Sequence, residues 1–552
     1  MKKRILMSLM CILLSLLMVL GSCGKSEETE KEPVTDTTVD ADATPETSKE
    51  KWLYLNASLP LNYDPAVGAS SVDSSIMINV YDNLVFTEID GTVIPHVATE
   101  WTESEDGLSY TFKIRDDIKF HNGDPLDAYD VAFSMNRALE IGQGFSYLWV
   151  NYVDRAEATD PTTVVFYLNK TYGVFVSTLT RLSILNEELV MANKVDGPYG
   201  EFGDYGMNWL STNDAGSGPY KTESINIAEN VTCSKFDDYW MEWDENAPDG
   251  FTFQAVNETA TVRTMLGNKE LSITDEWQTQ DSLNAMAEID GVEVTNIYSG
   301  AVATFEMNTK KAPTDCIHFR KCLAYLFDYD TAINYVYPGT KRTGPISASY
   351  EGSDPDVFLY PFDKAKAKEE LEQSKYADNP GEHTVEIHYS ADVPDEEKLA
   401  LLLQEAAAEL GINVTITATP WSTMIANAAT IESTPSISVM YPSDSYSEAG
   451  SVLNLRYHSA TTGSALQFEW LQDEAIDTEI EAALGEQDKD KRLSMYKDIQ
   501  SNLVEACPSI WVLEWPEQRA YRADLFTWPE AEAEKNAPIM GRCLYFRTIK
   551  FK

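Results

Sequence analysis

The histidines and carboxylates of this 552-residue sequence lack the spacing that catalysis or metal binding requires. Among the six histidines, His383 and His388 form the nearest pair, but their spacing in and before a predicted strand puts the two rings on opposite faces. The 89 acidic residues bring carboxylates together by chance throughout the chain, so no pair stands out as a general acid and base. We therefore predict no metal site.

Short motifs of nucleophilic, metal-dependent and phosphate-binding enzymes are also missing. The sequence has no G-x-S-x-G, no H-E-x-x-H and no G-x-G-x-x-G after a predicted strand. Gly339 and Gly344 have the spacing of a phosphate-binding loop, but Pro345 and Ile346 occupy the places of its Lys and Ser or Thr. The sequence therefore predicts a protein that is not an enzyme and needs no cofactor. A secreted hydrolase stays the alternative, because glycosidases leave no short signature.

The seven cysteines divide into two near the start of the chain, Cys11 and Cys23, and five that are widely spaced. The five are Cys233, Cys316, Cys322, Cys507 and Cys543. Their odd number and the absence of a C-x-x-C pair argue against a disulfide framework and against a zinc site. Buried free thiols are the favoured interpretation, and a single disulfide stays the alternative.

The first 22 residues are typical of an export signal. A basic segment, residues 2–4, precedes an apolar run over residues 5–20, which falls short of the roughly 20 residues that span a bilayer. The stretch Leu20-Gly21-Ser22-Cys23 resembles the lipobox of bacterial lipoproteins. That resemblance implies that Cys23 becomes the lipidated first residue, anchored in the cell membrane and facing the extracellular or periplasmic side. A plain membrane anchor with an incidental cysteine is the alternative.

Residues 24–50 are predicted to form a disordered acidic tether, because acids alternate there with Thr, Ala and Pro and no aromatic residue is present. The whole chain carries a formal charge of −47. A charge this negative argues against nucleic acid as a partner, since binding it needs patches of Lys and Arg. The charge also favours cationic ligands, although the solubility of an extracellular surface is the better explanation.

The elements that must position any site are short strands mixed with amphipathic helices. Residues 109–115 and residues 412–418 alternate apolar and polar side chains, so both are predicted as half-buried strands. Three short apolar runs rich in β-branched and aromatic residues are predicted as buried strands, namely residues 163–168, 437–441 and 510–514. About 500 residues follow the predicted tether, which is enough for two large lobes.

Predicted helices precede two of these strands. Over residues 394–411 the apolar side chains fall on one helical face, acids fill the first turn, and Gly411 is placed as a C-terminal cap. Residues 489–507 repeat the arrangement before the strand at 510–514, and a further helix is predicted over 126–140. Helix–strand units of this kind build parallel or mixed sheets. The predicted fold class is therefore α/β, or mixed α+β, with more than one sheet.

Several stretches form an ordered series of motifs. The strongest is residues 107–139, a strand followed by a Phe-His-Asn-Gly turn and a helix that opens with Ala-Tyr-Asp-Val. The others are residues 80–101, with Val97 at a usual Leu position, residues 216–240, with Gly-Ser-Gly-Pro-Tyr, and residues 318–333 and 360–374. Together the motifs resemble the extracellular solute-binding proteins of the peptide/nickel class, the oligopeptide- and dipeptide-binding proteins that serve ABC importers. The resemblance covers roughly residues 52–552.

The resemblance implies a two-lobed fold of the periplasmic-binding-protein type, in which a hinge lets the lobes close on a ligand. The first lobe would comprise residues 51–307 and 520–552 with an extra subdomain at about 80–213, and the second lobe residues 308–519. Strand 302–307 would cross the hinge. The implied function is a monomeric lipid-anchored receptor that captures a ligand, in the first place a peptide, and delivers it to the permease of an ABC importer. Binding of an oligosaccharide or a metal chelate is left open.

In peptide binders of this family an Asp near the end of a strand accepts the α-ammonium of the peptide, three positions after an aromatic residue. Tyr441 and Asp444 match that spacing, and a charge-assisted hydrogen bond from the ammonium to Asp444 would fix the register of the ligand. The family often has Tyr directly after the Asp, whereas Ser445 stands here before Tyr446. Asp444 as a solvated turn residue is the alternative.

Four further residues are candidates for contact with the ligand. Trp277 falls where the family has a loop of the cleft, and Trp421 follows a predicted strand, so either ring would stack on a ligand or belong to the core. Tyr63 lies in the segment 62–65, which resembles the first cleft loop of the family, where the backbone would pair with an extended peptide. Arg456 would hold a ligand carboxylate or serve as a partner within its own lobe.

Overall fold

A computed structural model describes residues 51–57, 59, 62–226, 229–256, 258–338, 340–442 and 445–552. The predicted signal, Cys23, the predicted tether 24–50 and Asp444 lie outside the described residues. Within the described ranges no helix has the length and the apolar character needed to cross a bilayer.

The strands are short and fall along the whole of the described chain. In chain order they are β1 (Trp52–Asn56), β2 (Val85–Thr87), β3 (Val93–Pro95), β4 (Ala98–Glu103), β5 (Ser109–Ile114), β6 (Val153–Asp160), β7 (Thr163–Leu168), β8 (Tyr220–Asn226), β9 (Asn230–Lys235), β10 (Gly250–Gln254), β11 (Val292–Val294), β12 (Val302–Met307), β13 (Val385–Ser390), β14 (Val414–Thr419), β15 (Ile437–Met440), β16 (Ser509–Glu514), β17 (Ala520–Arg522), β18 (Phe526–Thr527) and β19 (Lys550–Phe551).

The α-helices alternate with these strands. They are Ser71–Val80, Ala128–Ile141, Phe175–Thr178, Glu187–Ala192, Met207–Leu210, Thr259–Gly267, Gln280–Ala287, Ile317–Leu326, Tyr329–Thr331, Lys364–Gln373, Asp395–Ala408, Trp421–Asn427, Gly450–Val452, Glu474–Gly485, Lys489–Ala506 and Pro529–Glu532.

Three sheets position most of these elements. The first has the order β1-β10-β9-β8, with β1 parallel to β10 and the other pairs antiparallel. The second is antiparallel, in the order β4-β5-β7-β6. The third has five strands in the order β14-β13-β15-β12-β16 and mixes parallel and antiparallel pairs. The predicted mixed α/β class, with more than one sheet, is confirmed.

Strand β5 shows how an alternating pattern becomes a half-buried strand. Tyr110, Phe112 and Ile114 point to the core and are buried, while Lys113 between them is exposed. The ring of Phe112 packs edge-on against Phe166 of β7, with 5.3 Å between ring centroids. The predicted strand over 109–115 is confirmed.

The unit from β13 to β14 confirms the predicted helix and strand over 394–418, with a shorter helix and a strand that begins and ends slightly later. Helix Asp395–Ala408 joins the two parallel strands and buries Leu399 and Leu403 completely. Gly411 has a φ of +75°, a left-handed conformation that a side chain would strain. The glycine therefore lets the chain turn from the helix into β14 within a few residues.

Strand β12 lies inside the five-stranded sheet, hydrogen-bonded to β15 on one side and to β16 on the other, with all six residues buried. The chain enters this sheet just before β12 and leaves it just after β16. The entering and the leaving segment run side by side, because the backbone N–H of Trp515 donates to the carbonyl of Ala301 at 2.9 Å. The predicted lobe boundaries near 308 and 519 stay predictions.

The five cysteines of the described residues are free thiols, and all except the half-buried Cys316 are buried. Burial raises the pKa of Cys322 to about 12 and that of Cys507 to about 11. The thiol of Cys543 donates to Glu517 Oε1 at 3.1 Å. Because the thiolate is the reactive form, burial disfavours reaction at these cysteines, and they pack as small apolar side chains.

Candidate functional site

A column of aromatic rings joins two distant parts of the chain. The rings of Trp277 and Tyr441 both stack on Trp515, with centroid distances of 5.5 Å and 5.1 Å and interplanar angles of 19° and 8°. The hydroxyl groups of Tyr441 and Tyr337 share a hydrogen bond of 2.7 Å. Offset stacking of this kind is favourable and holds each ring in one orientation. We call Trp277, Trp515, Tyr441 and Tyr337 the aromatic column.

Strand ends position the members of the aromatic column. Tyr441 directly follows β15 and Trp515 directly follows β16, so the two strands that flank β12 in one sheet place both rings at the same level. Trp277 is held from the first sheet, because Asp275 accepts hydrogen bonds from the backbone N–H of Trp277 at 3.0 Å and from the amide of Asn56, the last residue of β1, at 2.8 Å. The column therefore links the first sheet to the five-stranded sheet.

A narrow cavity opens beside the aromatic column. Trp277, Tyr337 and Trp515 line it together with Asp395, the first residue of helix Asp395–Ala408. Asp395 is only 4% exposed and accepts a hydrogen bond of 3.3 Å from the backbone N–H of Gln280. That bond ties helix Gln280–Ala287 to the helix that packs on the five-stranded sheet, so the cavity lies between two separately built parts of the molecule.

Buried carboxylates surround this cavity. Glu276 forms an ion pair of 2.6 Å with Arg519, which also pairs with Glu517 at 2.8 Å. Burial raises the pKa of Glu276 to about 6, although the guanidinium of Arg519 opposes the shift. Glu396 accepts the backbone N–H of Ser390 at 2.7 Å, and burial raises the pKa of its carboxyl group well above the ordinary value. Burial therefore favours the neutral form of Glu396, while the negative charge of Glu276 is balanced by Arg519.

A second narrow cavity lies next to Pro442 in the five-stranded part of the molecule, and Arg456 and Glu306 line it. The guanidinium of Arg456 donates to the carbonyl of Leu466 at 3.2 Å. Burial raises the pKa of Glu306, which Arg456 lowers in turn, and burial together with Glu306 raises the pKa of Glu469. Arg456 thus lies beside buried carboxylates of its own neighbourhood, and its contact with a ligand stays a prediction.

The predicted site residues are therefore distributed over several places. Trp277 and Tyr441 come together in the aromatic column, whereas Arg456 lines the neighbouring cavity. Tyr63 is 2% exposed in the core of the first sheet, and its hydroxyl group is hydrogen-bonded to Thr222. Trp421 is 39% exposed at the start of helix Trp421–Asn427.

Sequence reasoning missed Trp515, Tyr337 and Asp395. Trp515 carried a usable signal, because it directly follows a strand that the sequence predicts at 510–514, and side chains at strand ends often meet at a site. Asp395 has the appearance of an ordinary acid in the first turn of a helix. No local pattern marks Tyr337, whose place depends on the packing of remote segments.

The separate sheets, the two adjacent segments that connect them and the cavity beside the aromatic column are those of a two-lobed binding protein. The chain belongs to the bacterial extracellular solute-binding proteins of family 5, because the model of the middle part of that family matches residues 92–464. The family consists of binding proteins that lie outside the cytoplasm. This membership confirms the class that the motifs over residues 80–374 resemble.

Relatives along nearly the whole chain agree with this assignment. A probable D,D-dipeptide-binding periplasmic protein of Escherichia coli strain K12 is 25% identical over 477 residues, covering 84% of this chain and 89% of its own. A dipeptide-binding protein of Bacillus subtilis strain 168 is 24% identical over 530 residues, covering 91% and 92%.

Solved structures show the same fold. The ABC transporter-associated periplasmic binding protein from Helicobacter pylori, in complex with the peptide STSA, superposes with a TM-score of 0.77 at 19% identity, covering 91% of this chain and 98% of that one. The predicted two-lobed periplasmic-binding-protein fold is confirmed.

Proposed function

We propose that this protein captures peptides at the aromatic column, between its two lobes, and delivers them to an ABC importer. The observation that carries the proposal is the aromatic column itself, which joins Trp277, held by the first sheet, to Tyr441 of the five-stranded sheet. A ligand that touches both rings would bind only when the two parts approach, as in a protein that closes on its solute. The dipeptide-binding relatives support peptides as the ligand class.

The proposed ligand contacts rest on the aromatic column and on the spacing of Tyr441 and Asp444 that resembles the family. Tyr441 and Trp277 would offer ring faces to the ligand, and Asp444, three residues beyond Tyr441, would accept the α-ammonium of a peptide. Trp421, Tyr63 and Arg456 stay predictions as ligand contacts. The protein would bind without catalysing a reaction.

The proposed cellular arrangement is a monomer anchored through a lipid on Cys23, with residues 24–50 as the spacer between membrane and receptor. A spacer of acidic and small residues stays solvated and lets the binding protein reach a permease nearby. The permease of an ABC importer is the proposed protein partner.

Thermal melting of the full chain, purified in detergent, tests peptide capture. A pool of short peptides with free amino termini should stabilise the fold, because a ligand at about 100 times its dissociation constant adds roughly 2.7 kcal/mol, or about a couple of degrees in a chain of this length. The same pool with acetylated amino termini should stabilise it far less, and Asp444→Ala should remove the difference. Absence of any shift with free peptides would contradict the proposal.

A further inference from the structure

We propose that Arg181 and Tyr147 of the predicted first lobe hold Ser445, in the loop that follows β15, and that this bridge stabilises the closed form of the protein. The inference rests on the proposed function and names residues that regulate the same site from outside it. Ser445 is the residue at which the sequence departs from the family pattern, because Tyr often follows the Asp directly there. Its contacts give this departure a physical reason.

Ser445 is completely buried, and each of its polar groups has a partner. Its backbone N–H donates to the hydroxyl group of Ser451, in the same predicted lobe, at 3.1 Å. Its carbonyl oxygen accepts a hydrogen bond from Nε of Arg181 at 3.0 Å, and its hydroxyl group shares a hydrogen bond of 2.6 Å with that of Tyr147. Two of the three polar groups of Ser445 are therefore satisfied from the predicted first lobe.

The guanidinium of Arg181 is held from its own side as well. Its Nη1 donates to the carbonyl of Met540 at 2.9 Å, and its Cζ lies 4.7 Å from the ring centroid of Phe145. Arg181, Met540 and Phe145 all belong to the predicted first lobe. These contacts orient the guanidinium before it reaches Ser445, so little side-chain freedom is lost when the bridge forms.

Tyr147 shares a rigid support with the ring that carries Arg181. The short helix Gly144–Leu148 holds both Tyr147 and Phe145, whose ring centroids lie 6.2 Å apart. Two residues beyond Ser445, the loop packs against the turn between β2 and β3, where a Cβ on Gly91 would lie 2.6 Å from the hydroxyl oxygen of Ser447. The predicted first lobe thus contacts the loop at more than one residue.

The bridge links closure to the aromatic column. Ser445 follows Tyr441 by four residues, so contacts that hold Ser445 also hold the loop next to that ring. Arg181 and Tyr147 reach Ser445 only when the two predicted lobes meet, and their contacts therefore favour the closed form. A ligand that binds the closed form has an apparent affinity that rises with the closed fraction. Arg181 and Tyr147 are positioning residues in this sense.

Hydrogen exchange of the full chain in detergent tests the bridge without ligand. Arg181→Gln removes the guanidinium and should speed exchange in segment 445–449. Exchange should also rise at Gly173, whose N–H donates to the carbonyl of Leu484 in the other predicted lobe, because the lobes separate as wholes. Arg155→Gln changes an exposed arginine that pairs with Asp154 and should leave both unchanged.

Calorimetric and kinetic titration with short peptides measures the consequence for capture. Arg181→Gln should weaken the affinity about tenfold, chiefly through faster dissociation, because a hydrogen bond from a charged donor is lost. Arg181→Lys should give a smaller loss, since the ammonium keeps the charge but lacks the fork that reaches two carbonyl groups. The unliganded melting temperature should change little in either variant.

A double-mutant cycle with conservative changes keeps the test valid if Arg181→Gln does not fold. Tyr147→Phe and Ser445→Ala each remove the same hydrogen bond, so each should weaken peptide affinity about threefold. The double variant should bind within about twofold of either single variant, because the shared bond can be lost only once.

The outcomes separate this inference from peptide capture. Unchanged exchange and unchanged affinity in Arg181→Gln and in Tyr147→Phe overturn the inference while peptide capture stands. Losses that multiply in the double variant show that Tyr147 and Ser445 act separately and also overturn it. Faster exchange at both segments in Arg181→Gln, in a natural protein that binds no peptide, supports the bridge and overturns peptide capture.

Discussion

The two tryptophans that the sequence marks as candidates have different surroundings. Trp277 is half-buried and stacks on Trp515, whereas Trp421 is 39% exposed at the start of its helix. If the aromatic column binds the ligand, Trp277→Ala should weaken the affinity for peptide about fivefold, since one aromatic contact contributes about 1 kcal/mol. Calorimetric titration measures the change. Trp421→Ala is the matched control and should leave the affinity unchanged; an equal loss in both variants would contradict the assignment.

Glu396 is a buried carboxyl group whose raised pKa makes the folded protein pH-sensitive. The folded state holds this proton more tightly than the unfolded state, so the free energy of unfolding falls as the pH rises above the ordinary carboxyl range. The loss grows by about 1.4 kcal/mol per pH unit up to the folded-state pKa. Glu396→Gln keeps an acceptor for Ser390 and removes the charge.

This variant should therefore melt at a higher temperature than the natural protein at pH 8, and the difference should shrink towards pH 4.5. Melting curves over this range without ligand provide the measurement. Glu397→Gln changes the neighbouring exposed acid and should show no such trend. A difference that grows on acidification would mean that Glu396 is ionised in the folded state.

At the scale of elements, two backbone segments pack closely against each other where the loop after β7 contacts the end of helix Glu474–Gly485. Gly173, after β7, donates its N–H to the carbonyl of Leu484 at 2.8 Å, and a Cβ there would lie 2.1 Å from the carbonyl oxygen of Glu486. The two segments belong to different predicted lobes. Even a methyl group at Gly173 would hold them apart.

Gly173→Ala should therefore weaken peptide affinity about tenfold and change the melting temperature of the unliganded protein much less, because it opposes closure rather than folding. Gly485→Ala lies in the same contact, but its Cβ would be 3.4 Å from Thr171, an ordinary contact, so it should leave both quantities unchanged. A large loss of unliganded stability with unchanged affinity would show that the contact is permanent and does not belong to closure.

The elements themselves were largely predictable. The strand over 163–168 and the helix over 489–507 follow from short-range patterns of apolar side chains, and the structure has them as Thr163–Leu168 and Lys489–Ala506. The candidate site was predictable only in part. Trp277 and Trp515 are far apart in sequence, and their contact depends on how two sheets are arranged, which no local pattern encodes.

At the scale of the whole molecule, the predicted lipid anchor has a direct test. Cys23→Ser removes the thiol that a lipid would modify, so the mature amino terminus of the variant should carry no lipid. The variant should then either move to the soluble fraction or keep its uncleaved signal. Fractionation and mass spectrometry of the mature amino terminus measure the change. Cys11→Ser is the matched control and should leave the distribution unchanged. Full membrane release of the natural protein by high salt would contradict a lipid anchor.

The stacked contact between Trp277 and Trp515 has an optical consequence. Two indoles 5.5 Å apart couple their electronic transitions, and the coupling disappears when the rings separate. Since the rings are held by different parts of the fold, the ultraviolet circular dichroism of the tryptophans should differ between open and closed states. Ligand binding could then be followed by circular dichroism of the natural protein, without an attached dye and during the titration itself.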